Sequence, residues 1–316
     1  MGIAGLSGGT PMSKRTPKSP TPRIAALGRL FEDLSSRILG QAEVLERLSR
    51  AVQRLELGGV PPGGCARCFL FAGPTGVGKT ETAQNLADLV FGPDHFIRFD
   101  CAEFKALDRV GDLLGNRSGD PGRFQQAYGQ ASRGVWLFDE IEKAHPEFVH
   151  LFLAMTEANR VTLASGDTLD LSGLYIVVTS NLGSAEILGR EHLPFVSLEK
   201  RVVRSIERHF RPELLRRFGA PYVFRPLGRA AQEAIVALHL KNFIQWHASR
   251  GRTLAVGPEV ARFLAVVGFS PRLGAGPLLA AIHQCMGDAV TENLLAGGTG
   301  SGRVIVHGDH LKLVPS

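Results

Sequence analysis

Cys68-Phe69-Leu70-Phe71-Ala72-Gly73-Pro74-Thr75-Gly76-Val77-Gly78-Lys79-Thr80-Glu81 joins an uncharged apolar run to a glycine-spaced loop that closes on a lysine and a threonine. Five apolar residues without a charge predict a strand buried on both faces of a parallel sheet. The Gly-x-x-x-x-Gly-Lys-Thr spacing from Gly73 to Thr80 predicts a loop that wraps phosphate, because glycine accepts backbone torsions other residues resist. Backbone N–H groups then point inward, and a helix starting near Lys79 adds its positive dipole end. In this reading Lys79 reaches the β- and γ-phosphates of a nucleoside triphosphate, and the Thr80 hydroxyl holds Mg²⁺.

Outward from that loop, two further apolar strands end in polar groups. Gly134-Val135-Trp136-Leu137-Phe138 runs into Asp139-Glu140. A carboxylate at the carboxyl end of a parallel strand faces the crevice where open α/β sheets bind ligands. Asp139 suits holding Mg²⁺ through water, and Glu140 suits polarising an attacking water. Leu174-Tyr175-Ile176-Val177-Val178 ends in Thr179-Ser180-Asn181; the Asn181 amide either orients water or caps a turn. Phe96 to Asp100 alternates as a strand. Helical spacing of apolar residues marks Ile24 to Leu34, a second stretch through Val52, Glu81 to Val90 and Val202 to Phe210.

Beyond Pro226 the texture changes to amphipathic helices over Ala230–Trp246, Pro258–Val267 and Pro277 to about Leu295. A hairpin follows, with Val304-Ile305-Val306 and Leu311 to Val314 around Gly308-Asp309. The expected organisation is a basic tail over residues 1–22, too poor in large apolar residues to offset its ordering entropy, an α/β nucleotide-binding unit over 23–226, and a smaller, mainly helical unit over 227–316 at the edge of the crevice.

The 316 residues carry 44% hydrophobic and 21% charged side chains, a globular composition. No apolar run approaches the roughly 18 residues of a membrane span, so a membrane is not expected as a partner. Four cysteines make no disulfide framework in a chain this long, which points to the cytoplasm. Cys65-Ala66-Arg67-Cys68 lacks the second ligand pair of a structural zinc site, and Cys68 is expected to pack within its strand. The net charge of +6 is spread along the chain; it fits a solvated basic surface better than a nucleic-acid stripe.

These motifs resemble the AAA+ module of the Clp unfoldases, specifically the second ring of the double-ring members. The resemblance runs from about Arg37 to the carboxyl terminus. It rests on Gly73-Pro74-Thr75-Gly76-Val77-Gly78-Lys79-Thr80-Glu81, on Phe138-Asp139-Glu140-Ile141-Glu142-Lys143-Ala144-His145-Pro146, and on Thr179-Ser180-Asn181-Leu182-Gly183-Ser184. It implies a P-loop AAA+ large unit with a parallel sheet flanked by helices, then a small helical unit with a short terminal hairpin. It implies ATP and Mg²⁺ as cofactors, a homo-oligomeric ring of six, and a chaperone-like action on a protein client. Ile38 and Leu39 would flank the adenine, Asn181 would be sensor 1, and Arg217 would reach into the neighbouring subunit's site. Arg216, directly before it, competes for that role.

Three departures shape the expected function. The family's gripping loop carries an aromatic between glycines, whereas Gly115-Asn116-Arg117-Ser118-Gly119-Asp120-Pro121-Gly122 has none, and Phe124 and Tyr128 read as helix packing. The lid arginine of the family is replaced in Gly274-Ala275-Gly276. No peptidase-docking Ile-Gly-Phe/Leu loop is found, and Ile187-Leu188-Gly189 is a poor substitute. The expectation is therefore an Mg²⁺-ATP-dependent ATPase, slow in turnover, that remodels a protein complex rather than threading substrates to a peptidase. The alternatives are a nucleotide-dependent switch or loader on a nucleic-acid-bound complex, and an ATP-binding regulatory subunit with little turnover.

Overall fold

The computed structural model describes residues 22–58, 67–116, 119–190, 192–270 and 273–315. The tail read over residues 1–22 lies outside them apart from Pro22, as do the turn Pro61 to Gly64, Cys65, Arg117, Ser118 and Arg272. The chain begins with α1 (Pro22–Gly28), α2 (Leu30–Arg37) and α3 (Ala42–Glu56), then enters β1 (Cys68–Ala72), α4 (Lys79–Val90) and β2 (Phe96–Asp100). Next come α5 (Leu107–Leu114), α6 (Gly122–Gln130), β3 (Gly134–Asp139) and α7 (Pro146–Ala158). A small antiparallel hairpin, β4 (Arg160–Thr162) with β5 (Thr168–Asp170), precedes β6 (Leu174–Ser180). The large unit closes with α8 (Ser184–Ile187), α9 (Phe195–His209), α10 (Pro212–Phe218) and β7 (Tyr222–Val223).

The central sheet has strand order β2-β3-β6-β1-β7, and every pairing in it is parallel. Its alternating side chains feed two cores. Leu70, Trp136, Phe138, Ile176 and Val178 face the layer that contains α6, α7, α9 and α10. Phe69, Phe71, Val135, Leu137, Tyr175 and Val177 face α2, α3 and α4. Burial on both faces is why these strands read as unbroken apolar runs. Each fully buried Phe or Leu contributes about 1.5–3 kcal/mol by transfer from water, so the sheet is a rigid platform for whatever stands at its carboxyl edge.

The remaining chain forms α11 (Arg229–Ala248), β8 (Leu254–Val256), α12 (Pro258–Gly268), α13 (Leu278–Leu295), β9 (Gly302–His307) and β10 (His310–Val314). The expected hairpin is present as β9–β10, and β8 extends it to a three-stranded sheet by pairing parallel to β9. That strand was not foreseen because Leu254-Ala255-Val256 is only three residues long. Val236, Leu240, Leu264, Ile282, Met286 and Leu311 belong to a third core of their own. Phe124 is fully buried on α6, with its ring 5.6 Å from that of Trp136, so its helical packing reading holds. Cys68 and Cys101 are both buried, Cys68 within its strand as expected. Among the described residues no helix is long and apolar enough to cross a membrane.

Candidate nucleotide site

One cavity of about 720 Å³ opens at the carboxyl edge of the sheet, within the range of small-molecule sites. It is lined by Ile38 and Leu39, by every residue from Thr75 to Glu81, by Asp139, Glu140 and Asn181, and by Leu227, Leu238, His239, Ala275 and Gly276. Gly73 and Pro74 stand behind the wall: their carbonyl oxygens accept hydrogen bonds from Lys79 Nζ at 2.6 and 2.7 Å. Thus the residues expected around a nucleotide meet at one place, except for the two arginines. Neither Arg216 nor Arg217 lines the cavity.

The loop owes its shape to glycine. Gly76 and Gly78 have φ values of 71° and 100°, where an L side chain is strained. A Cβ on Gly76 would stand 2.0 Å from the Leu273 carbonyl oxygen, so the segment around Leu273 lies directly on the loop. Ala275 N donates to Gly76 O at 3.0 Å, and Gly274, with φ of 59°, is pressed against the Thr75 and Gly76 carbonyls. The segment over residues 273–275 and the glycine loop therefore join backbone to backbone.

Below the loop is a charged network. Lys79 is 7% exposed, and burial pulls its ammonium down to about 8, against the opposing fields of Asp139, Glu142 and Glu140. Its third partner is Asn181 Oδ1 at 2.8 Å. Asn181 Nδ2 donates to Glu140 Oε1 at 2.5 Å, while Asn181 N donates to Glu142 Oε1 at 2.9 Å. Asn181 is thus a bridge between the lysine and the acid, which favours the functional reading over a simple turn cap. Glu140 sits in the left-handed region at φ 58°, held by a 2.8 Å bond from its N–H to Thr179 Oγ1. A non-glycine residue there costs about 1–2 kcal/mol; strain of this kind persists where surrounding bonds hold it.

Asp139 has both oxygens engaged: Oδ1 accepts from the Thr179 hydroxyl, and Oδ2 pairs with Arg98 Nη2 at 2.7 Å. Thr80 and Asp139 offer hard oxygen donors in one cavity, a donor set that fits Mg²⁺. The left-handed loop and the buried cation fit a polyphosphate. On the α4 side, Glu81 Oε1 accepts from Asn85 Nδ2 at 3.1 Å, and Arg37 donates to Asn85 Oδ1 at 3.0 Å. Gln41 is buried and ties Val77 O to Arg225 O at 3.1 and 3.0 Å. Arg217, on α10, forms a 2.6 Å ion pair with Glu157 of α7, whereas Arg216 is exposed.

Sequence reasoning missed Thr179 as a clamp, Gln41 as a strut, Arg98 as a wall residue and His239 on α11. A signal existed for two of them. Thr179 is a polar residue closing an apolar strand, and Arg98 is a charge inside Phe96-Ile97-Arg98-Phe99.

A family model described as the AAA domain (Cdc48 subfamily) matches residues 67–220, and one described as the C-terminal, D2-small domain of ClpB protein matches residues 227–306. The chaperone protein ClpB of Vibrio vulnificus (strain CMCP6) is 34% identical over 276 residues, which cover 85% of this chain and 32% of that protein. ClpB of Meiothermus ruber is 35% identical over 282 residues, covering 87% and 33%. The chain spans about a third of the length of the curated relatives it matches. A closed-state cryo-EM reconstruction of Hsp104 with ATPγS and FITC casein matches with a TM-score of 0.82 at 30% identity, over 94% of this chain and 53% of that one.

Proposed function

The chain belongs to the AAA+ ATPases, as a Clp-type module homologous to the second ring of ClpB and Hsp104, and from that premise we propose that it binds Mg²⁺-ATP in the cavity around Lys79 and hydrolyses it. The observation that carries this reading is the single cavity that collects Thr75–Glu81, Asp139, Glu140 and Asn181. Residues 23–226 then serve as the nucleotide-binding unit and residues 227–316 as its lid.

In the proposed reaction Glu140 accepts a proton from the attacking water, and Asn181 holds that carboxylate in place through its 2.5 Å bond. Lys79 faces the β- and γ-phosphates with its ammonium, and the loop N–H groups add dipoles aimed at the same charge. Ile38, Leu39 and Leu238 offer the base an apolar slot. Mg²⁺, held by Thr80 and Asp139, would neutralise charge on the phosphates.

The placement of Arg217 away from its own chain's cavity supports a ring in which it completes the neighbour's site, with six subunits as in the family. The loop from Gly115 to Gly122 supports remodelling of a protein complex over threading to a peptidase: it closes on itself through Asn116 N to Asp120 O at 3.0 Å and carries no aromatic. We place the protein in the cytoplasm on the same family grounds. One observation favours the low-turnover rival, namely that Gly276 gives the lid no side chain to bring to the phosphates.

The test mixes two inactive variants. Arg217→Ala and Lys79→Ala subunits should each lack turnover alone and regain part of it together, because some interfaces then join an intact phosphate loop to an intact arginine. Turnover per subunit should rise with protein concentration. Full activity of Arg217→Ala at every concentration would sink the shared-site mechanism.

A further inference from the structure

The nucleotide cavity contains a cation that neither the phosphate loop nor the lid supplies. We propose that Arg98, projecting from the edge strand β2, is a second phosphate-binding cation of this site, exchanging its bond to Asp139 for the terminal phosphate when the nucleotide binds. The proposal rests on the ATP reading above and names a further residue for it.

Among the described residues, three Lys or Arg side chains line the cavity: Arg37, Lys79 and Arg98. They face Glu81, Asp139 and Glu140, so these six side chains carry no surplus positive charge when Lys79 is protonated, while a nucleoside triphosphate brings several negative charges. Lys79 has three donors, and all three find acceptors in Gly73 O, Pro74 O and Asn181 Oδ1. Arg37 donates to Asn85 on α4, in the Glu81 network rather than beside Asp139. Arg98 differs from both. Its guanidinium offers five donors in a planar fork suited to phosphate, its side chain is 51% exposed, and among the described residues its ion pair is with Asp139 alone.

The pair also has a built-in reason to separate. Asp139 Oδ1 is engaged by the Thr179 hydroxyl, which leaves Oδ2 as the oxygen held by Arg98. Asp139 is the carboxylate expected to hold Mg²⁺, so a cation there competes with Arg98 for that oxygen. Asp139 lies opposite Asp100 in the β2–β3 register, with Arg98 two residues back on the same side of the strand. Asp100 Oδ1 already accepts the Ala102 N–H at 2.9 Å, which leaves Oδ2 as a competing acceptor for Arg98. A guanidinium released from Asp139 still lines the cavity that would hold the phosphates. Arg98 would then perform from the sheet edge what Gly276 cannot perform from the lid.

The experiment titrates ATPγS and ADP separately, each with Mg²⁺, into the full chain and its variants, and records thermal unfolding without nucleotide. Arg98→Ala should weaken ATPγS by about 10- to 100-fold, the range for losing charge-assisted bonds to a phosphate, and change ADP by less than about threefold. Arg98→Lys should keep part of the ATPγS affinity. Adding Gly276→Arg to Arg98→Ala should restore ATPγS to within about threefold of wild type, because a guanidinium from the opposite wall supplies the same charge. A structural role for Arg98, as a mere neutraliser of Asp139, predicts equal losses for both nucleotides and no rescue by Gly276→Arg; either result overturns the proposal. Wild-type protein that binds neither nucleotide would overturn the ATP reading itself, an outcome distinct from selective failure of the Arg98 arms.

Discussion

Two loops of this chain are rich in glycine, Gly73–Thr80 and Gly115–Gly122, and they use it in opposite ways. In the first, Gly76 and Gly78 turn the backbone left-handed, and among the described residues the N–H groups of Gly76, Val77 and Gly78 have no backbone acceptor. In the second, Gly115 and Gly122 are also left-handed, yet the N–H groups of Asn116, Asp120 and Gly122 donate within the loop. Asn116 N donates to Asp120 O, Asp120 N to the Asn116 side chain at 3.2 Å, and Gly122 N to the Asp120 carboxylate at 2.9 Å. Glycine content therefore does not make an anion site. What matters is whether the donors are consumed, and a short side-chain acceptor such as Asp120 is enough to consume them.

The largest effect should separate chemistry from binding. Glu140→Gln should lower turnover by about 10²- to 10⁴-fold, the usual contribution of a general base, with ATP affinity retained. Asp120→Ala in the second loop should leave turnover per subunit within about twofold. Steady-state phosphate release measures both, and comparable losses would erase the distinction between the loops. Next, Lys79→Ala should weaken ATPγS by roughly 100-fold or more, since it removes a desolvated charge-assisted contact worth about 3 kcal/mol. Unchanged affinity by calorimetry would remove the basis of the nucleotide reading.

A smaller effect tests the second loop as a closed structure. A Cβ on Gly122, at φ 77°, would stand 2.4 Å from Gly115 N. Gly122→Ala should cost about 1–3 kcal/mol of stability while leaving ATPγS affinity unchanged. Gly129→Ala on the same helix meets nothing within 4 Å and should instead be neutral or stabilise by about 0.5–1 kcal/mol. Denaturant titration reads both signs.

The smallest effect is a proton. Burial lowers Lys79 to about 8, so above that pH it is neutral in the folded protein, and phosphates draw the proton back. ATP binding should take up about 0.9 proton at pH 9 and about 0.1 at pH 7, measurable from heats in buffers of different ionisation enthalpy. Affinity should fall as pH climbs past 8. Folding stability runs the other way: between about pH 8 and 10.5 the unfolded chain binds more protons than the folded one, so stability without nucleotide should rise with pH across that window. Proton uptake independent of pH would place the neutralised group elsewhere.

The amino-acid sequence by itself determined the parallel sheet, the order of its strands along the chain and the polar residues at their ends. Strands such as β1 and β6 are buried on both faces, and that burial writes an uncharged run that needs no tertiary context to read. The phosphate loop was equally legible, because its chemistry lies in eight consecutive positions. Only the tertiary structure decided where the charges go. Arg98 and Asp139 are far apart in the chain and meet because β2 pairs with β3; Arg217 leaves its own cavity because α10 packs beside α7 and pairs with Glu157. The C-terminal unit docks on the glycine loop through Ala275 N and Gly76 O, a backbone contact with no side-chain signature. Local pattern records burial and turn chemistry, whereas an ion pair between distant residues depends on register and packing, which no single stretch of sequence contains.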